Sequence, residues 1–158
     1  MKRLVPLTLI LFLAGCGSKD AIPYLGRWHG DFIVDSVTPP VSAKDMKREE
    51  LHGSLQIYAT NLSFKMHFEG EQESLDAEGT WSHVGTTVTL KFKSVKIDDE
   101  GGAERRDPNL KFIAPSAIHA AYQRNLVLHL SKDKKTLAGL EVTLGSLTGR
   151  HMFTRSND

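Results

Sequence analysis

The sequence predicts an all-β protein, an antiparallel up-and-down barrel of about eight strands with one or two short helices. Three observations predict it. Apolar and polar residues alternate with a period of two over most of the chain, as in strands that bury one face. Turn residues recur about every ten positions. A meander of many such strands would leave two open edges, and closing the sheet removes both of them.

The first half of the chain contains five predicted strands. They cover 26–34, 54–60, 62–68, 74–81 and 87–97. The clearest alternation is in the third strand, where Phe64 and Met66 are separated by Lys65 and followed by His67. A Thr60-Asn61 turn predicts that the second and third strands form a hairpin. A second turn, over 83–86, joins the fourth strand to the fifth.

The second half of the chain predicts three more strands, over 125–131, 136–144 and 146–155, with a polar turn at 132–135. Two segments have helical features. In 42–52, Ser42 is a candidate N-cap and Gly53 a stop signal. In 114–125, Pro115 occupies a first helical position. The segment 98–109 has no periodicity, which predicts a solvated loop.

The first twenty residues have the pattern of an export signal. Lys2 and Arg3 precede an apolar run of about a dozen residues, shorter than the ~20 that a spanning helix needs. The run ends at Leu13-Ala14-Gly15-Cys16, which contains the single cysteine of the chain. This stretch resembles the bacterial lipobox. An ordinary secreted protein with an incidental cysteine is the alternative.

The lipobox resemblance implies a lipid anchor. The Cys16 thiol would be alkylated with diacylglycerol, the chain cleaved after Gly15, and the new amine acylated, commonly with palmitate. Two or more acyl chains anchor a protein stably. The chain would divide into a signal peptide (1–15), a lipidated tether (16–23) and a barrel domain (24–158). Gly17 favours the outer membrane of a two-membrane cell envelope over the outer face of the cytoplasmic membrane.

Composition narrows the class of protein further. Without the signal, about 143 residues remain, enough for one domain with a real core. Loss of Lys2 and Arg3 changes the net charge from +1 to about −1, so no strong field favours nucleic acid. With no second cysteine, neither a disulfide nor a cysteine zinc site is expected.

Two G-x-W motifs carry a second resemblance. Gly26-Arg27-Trp28 opens the first predicted strand, and Gly79-Thr80-Trp81 lies in the fourth. A G-x-W in the first strand resembles the lipocalin and calycin barrels, in which the tryptophan closes one end of the barrel. The resemblance implies that an arginine near the last strand packs over this ring, and either Arg150 or Arg155 is placed to do so.

No motif predicts catalysis, a metal site or a cofactor. The seven histidines have no H-x-H or H-x-x-x-H spacing, and they are predicted to lie at the surface. They are His29, His52, His67, His83, His119, His129 and His151. The run Asp98-Asp99-Glu100 lacks the alternating oxygen ligands of a calcium loop. We therefore expect a protein that is not an enzyme and has no cofactor.

The inward aromatic residues and a methionine leave two functions open. Side chains of an eight-stranded barrel either fill it or surround one small ligand. In the first function the anchored barrel binds a small apolar or amphipathic ligand. The candidate lining residues are Trp28, Phe64, Met66, Trp81 and Phe92. In the second, the barrel is solid and contacts another protein through the 98–109 loop or the 42–52 helix.

Overall fold

The computed structural model describes residues 23–38, 51–69, 73–99, 115–144 and 147–157. Eight antiparallel strands form one closed barrel, in which each strand pairs with its neighbours in sequence and the first pairs with the last. The strands are β1 (Gly26–Val37), β2 (Leu51–Ile57), β3 (Ser63–Glu69), β4 (Glu73–Val84), β5 (Thr87–Asp99), β6 (Leu126–Leu130), β7 (Thr136–Leu144) and β8 (Leu147–Arg155). A 3-10 turn (Thr60–Leu62) joins β2 to β3, and one helix, α1 (Pro115–Tyr122), precedes β6.

The predicted barrel is confirmed, as is the helix that begins at Pro115. The period-two alternation correctly identified the buried face. In β3, Phe64, Met66 and Phe68 are buried while Lys65 is exposed. The polar turn at 132–135 is also where the sequence predicted it.

Two predictions were wrong where the described residues overlap them. The predicted helix 42–52 ends in a strand, since Leu51 and His52 pair with Phe32 and Asp31 of β1. Gly53 continues this strand opposite Gly30 and is no helix stop. The ladder hydrogen bonds and the inward position of Leu51 favour the extended backbone here. Residues 39–50 lie outside the described residues.

The predicted 98–109 loop was wrong at its start. Asp98 lies in β5 opposite Ser74, and the β4–β5 ladder ends with Glu73 opposite Asp99. A continuous hairpin satisfies the backbone groups of these polar residues, so the ladder extends beyond the apolar pattern. The rest of that segment, 100–109, lies outside the described residues.

The barrel has two different ends. At the closed end lie the start of β1, the end of β8 and the connections 58–62, 85–86 and 131–135. Tyr24 packs there against Trp81, with ring centroids 6.4 Å apart. At the opposite end, which we call the helix end, Ile118 and Tyr122 of α1 are buried against the barrel. Among the described residues, no helix is long and apolar enough to span a membrane.

Candidate functional site in the barrel interior

The closed end of the barrel is held by hydrogen bonds around Trp28. The Trp28 indole donates to the carbonyl of Tyr24 at 3.1 Å. The Arg155 guanidinium lies 4.5 Å from the Trp28 ring centroid and donates to the carbonyl of Pro23. Of the two candidate arginines, Arg155 therefore makes the expected cation–π contact. Arg150 instead pairs with Asp35 at 3.4 Å.

The five candidate lining residues belong to one hydrophobic core, in which Phe92 is only partly buried, but they occupy different levels of the barrel. Trp28 and Trp81 belong to the closed end, where the Trp81 indole donates to the Tyr58 carbonyl at 2.8 Å. Phe64 and Phe92 meet edge to face, with centroids 5.3 Å apart. Met66 is buried on the same strand as Phe64. The two tryptophans thus close one end of the barrel, and the phenylalanines lie deeper inside it.

A histidine and a tyrosine form the polar centre of the interior near the helix end. The side chain of His151 in β8 is 1% exposed. Its Nε2 lies 2.9 Å from the hydroxyl of Tyr122, which is also buried. Aromatic rings surround the imidazole, with centroids at 5.0 Å for Phe32, 5.2 Å for Phe68 and 5.8 Å for Phe153. One hydrogen-bonded pair therefore lies among aromatic rings in an otherwise apolar interior.

Burial keeps both members of this pair neutral. Loss of solvation lowers the pKa of His151 to about 3 and raises the pKa of Tyr122. We assign the Tyr122 hydroxyl as donor to Nε2, because phenol is the stronger acid and imidazole the stronger base. Nδ1 of His151 then carries the ring proton. This buried N–H has no hydrogen-bond partner among the described residues.

The prediction that the histidines lie at the surface was wrong for His151 and only partly right for His83, which is half-buried, with its ring against Trp81 and its Nδ1 buried. It holds for His29 and His129, which are exposed, and His67 also faces outward, with its side chain 44% exposed. The alternation along β8 indicates this burial, because His151 lies two residues from each of the inward residues Gly149 and Phe153 and therefore points to the same side of the sheet. Its partner Tyr122 lies on helix α1, and no local sequence pattern specifies where this helix packs against the barrel.

Helix α1 closes the barrel beside this pair. Ile118 and Tyr122 border an apolar recess of about 20 Å³, together with Phe68 of β3 and Leu144 of β7. A space of that size holds about one water molecule. As it stands, this recess therefore adds little free volume to the interior, although an open groove of about 550 Å³ lies between α1 and β7, lined by Tyr122, Leu126 and Val142.

Within the parts of the chain that the structure describes, no three His, Cys, Asp or Glu side chains are grouped as metal ligands would be. The fold and site together define a closed eight-stranded up-and-down barrel with an apolar interior and one buried polar pair. Compared with models of known protein families and with curated proteins, the sequence matches none.

Proposed function

We propose that this chain is a lipid-anchored envelope protein whose barrel binds a small, mainly apolar molecule with one acceptor oxygen. The observation that carries the proposal is the N–H at Nδ1 of His151, buried and without a partner among the described residues. A buried donor left without a partner costs about 1–3 kcal/mol. A ligand oxygen bonded to this donor would remove that cost.

The surroundings of His151 select the chemical class of the ligand. The ring contacts come from phenylalanines and Tyr122, so the rest of the ligand would meet apolar surface. A carboxylate would lose its hydration there, and a neutral imidazole offers it no compensating charge. The best fit is therefore a neutral ketone, ester or alcohol on a hydrocarbon frame, bound without chemical conversion.

Access to His151 requires movement of helix α1. The recess of about 20 Å³ is too small for such a ligand. Withdrawal of Ile118 from the barrel would enlarge it, while Tyr122 must keep its bond to Nε2, because that bond places the ring proton on Nδ1. The helix has only eight residues, so tertiary packing and not its own propensity holds it in place. The ligand would then take the place of the Ile118 side chain.

The lipid anchor is the second part of the proposal, and it rests on the lipobox at Cys16. Intact mass of the protein purified from membranes tests it, because a diacylglyceryl and an acyl group on a chain that starts at Cys16 give a defined mass increase. Cys16→Ser is expected to release the protein from membranes. An unmodified chain in the membrane fraction would contradict the anchor and leave the ligand proposal untouched.

Ligand binding is tested with matched compounds of equal chain length: an alkane, a methyl ketone and an alcohol. In protein labelled with ¹⁵N-histidine, the ketone and the alcohol are expected to shift the Nδ1 resonance of His151, and the alkane is not. His151→Phe should abolish the preference for the ketone over the alkane. His129→Phe, at an exposed position, is the matched control and should retain it. Equal binding of all three compounds, or none, would exclude the proposed site.

The small recess favours a second function, in which the barrel is solid and the protein contacts a partner. In that case none of the three compounds binds. The candidate contact residues are then the exposed residues at the helix end that lie nearest in sequence to the segment 100–114. A photocrosslinker at Asp98 is expected to capture one specific envelope protein in cells. A crosslinker at Lys91, on the same strand and also exposed, is the control.

A further inference from the structure

Three exposed apolar side chains lie at the closed end of the barrel. Tyr58 precedes the 3-10 turn between β2 and β3, Leu62 is the last residue of that turn, and Val84 ends β4, with exposures of 39%, 51% and 84%. The hydrogen bond from the Trp81 indole to the Tyr58 carbonyl joins the connection between β2 and β3 to strand β4. The only other large apolar side chain that is exposed among the described residues, Leu140, lies within β7.

A lysine-rich turn adjoins these side chains. Lys132, Lys134 and Lys135 are exposed in the connection between β6 and β7. The Leu130 amide donates to the Thr86 carbonyl at 2.8 Å, so this turn lies next to the β4–β5 hairpin that carries Val84. Asp133 is the one acid of the turn, and it accepts bonds from Ser131 and from the Lys135 amide. The turn therefore adds a net positive charge to the apolar patch.

Leu62 is unfavourable for the fold in two ways. Its φ of 47° lies in the left-handed region, which is costly for a residue with a β-carbon and suits glycine or asparagine better. Half of its side chain also stays in water. Neither feature stabilises the barrel, so a contact outside the barrel would account for a leucine at this position.

We infer that the closed end, through Tyr58, Leu62, Val84 and the three lysines, docks onto the anionic phospholipid surface of the anchoring membrane. Apolar side chains flanked by lysines are the usual composition of surfaces that enter the headgroup layer. This inference rests on the proposed lipid anchor. It adds an orientation that the anchor alone does not impose.

The length of the tether supports the same orientation. The described chain begins at Pro23, which Arg155 holds at the closed end. Seven residue steps separate Pro23 from Cys16, so the tether reaches about 25 Å at most. A twelve-residue strand such as β1 is about 40 Å long. Docking by the helix end would need the tether stretched along most of the barrel wall.

The test uses the full lipidated protein in vesicles of three parts phosphatidylcholine to one part phosphatidylglycerol. If Cys16 carries lipid, a cysteine introduced at Val84 or at Asp98 is the single free thiol and takes one fluorophore. A nitroxide on the lipid headgroup then reports proximity. We expect quenching several-fold stronger at Val84→Cys than at Asp98→Cys, which is exposed at the opposite end. Raising the salt concentration from 0.1 to 1 M should weaken the quenching at Val84→Cys, because salt screens the attraction between the lysines and the anionic lipid.

Matched variants separate docking from folding. Leu62→Asn relieves the left-handed backbone, so it should keep the barrel folded and still lower the quenching at Val84→Cys. Leu140→Asn removes a similarly exposed leucine from the barrel wall and should leave the quenching at Val84→Cys unchanged. Lys132→Glu, Lys134→Glu and Lys135→Glu together should abolish the preference for phosphatidylglycerol.

Two outcomes would overturn the inference. One is equal quenching at both ends of a chain that carries a single label. The other is capture of a protein in cells by a crosslinker at Val84, combined with no quenching in vesicles. Failure of the anchor itself gives a different result, namely two labels per chain and no association with the vesicles.

Discussion

The hydroxyl of Tyr122 lies 2.9 Å from Nε2 of His151, and this bond joins helix α1 to the interior face of β8. Both groups are buried, and for each of them it is the one hydrogen bond of the side chain within the described residues. Because the bond forms in an apolar interior, loss of one partner leaves the other unsatisfied. The pair therefore fixes the helix more firmly than apolar packing alone.

Tyr122→Phe removes the hydroxyl and leaves the volume almost unchanged. We expect it to lower the free energy of unfolding by about 1–3 kcal/mol, since Nε2 of His151 becomes a buried acceptor without a donor. The double variant Tyr122→Phe with His151→Leu should lose less than the sum of the two single variants. Urea unfolding of all four proteins measures this. Additive losses would contradict coupling between the two side chains.

His151 also predicts a dependence of stability on pH. Its pKa is about 3 in the folded protein and ordinarily about 6.5, so between these values the unfolded chain binds one proton more. Stability should therefore fall as pH is lowered from 6.5 toward 3, by up to about 1.4 kcal/mol per pH unit from this group. Comparison of urea unfolding in the wild type and in His151→Leu isolates its share. An unchanged slope in the variant would mean that His151 is not the group responsible.

The barrel could be predicted from the sequence because its signals are local. Each strand places side chains alternately inside and outside, so Phe64, Met66 and Phe68 reveal a buried face without knowledge of their partners. Strand ends were harder to predict. Asp98 and Asp99 extend β5 through backbone pairing with β4, which depends on a neighbouring strand and not on their own side chains.

The polar pair could be predicted only in part. The parity of His151 in β8 was visible, but surface location is the commoner outcome for a histidine. Its burial depends on Tyr122, which approaches from a helix 29 residues away in sequence. No spacing rule connects the two residues, since the packing of helix α1 against the barrel brings them together. For Trp28 the G-x-W resemblance left two candidate arginines, and the β1–β8 pairing, which sets Arg155 opposite Trp28, decides between them.

Two arginines of β8 provide a matched pair of variants at the closed end and on the barrel wall. Arg155→Ala removes the contact with Trp28 and the bond to the Pro23 carbonyl, and it should cost about 1–3 kcal/mol. Arg150→Ala removes a half-exposed pair with Asp35 and should cost less than about 1 kcal/mol. Thermal unfolding of both variants measures the difference. Equal losses would mean that Arg155 contributes only a surface charge.

The glycines of the two G-x-W motifs are required for different physical reasons, and alanine variants should separate them. Gly26 has a φ of +110°, with nothing within 4 Å of an added β-carbon, so Gly26→Ala should cost about 1–2 kcal/mol from the backbone alone. At Gly79 an added β-carbon would lie 2.0 Å from the Lys91 carbonyl oxygen and 2.9 Å from the Phe64 ring.

Gly79→Ala must therefore push β4 away from β5 in the middle of the hairpin that these two strands form. The obstructing atom belongs to the backbone and cannot rotate aside. We expect a loss of about 3 kcal/mol or more, beyond the range of ordinary single substitutions. Urea unfolding gives the ranking of the two variants, and hydrogen exchange at the Lys91 and Phe92 amides gives its location. A loss at Gly79 no larger than at Gly26, with protected amides in β5, would show that the added methyl group is accommodated without separating the strands.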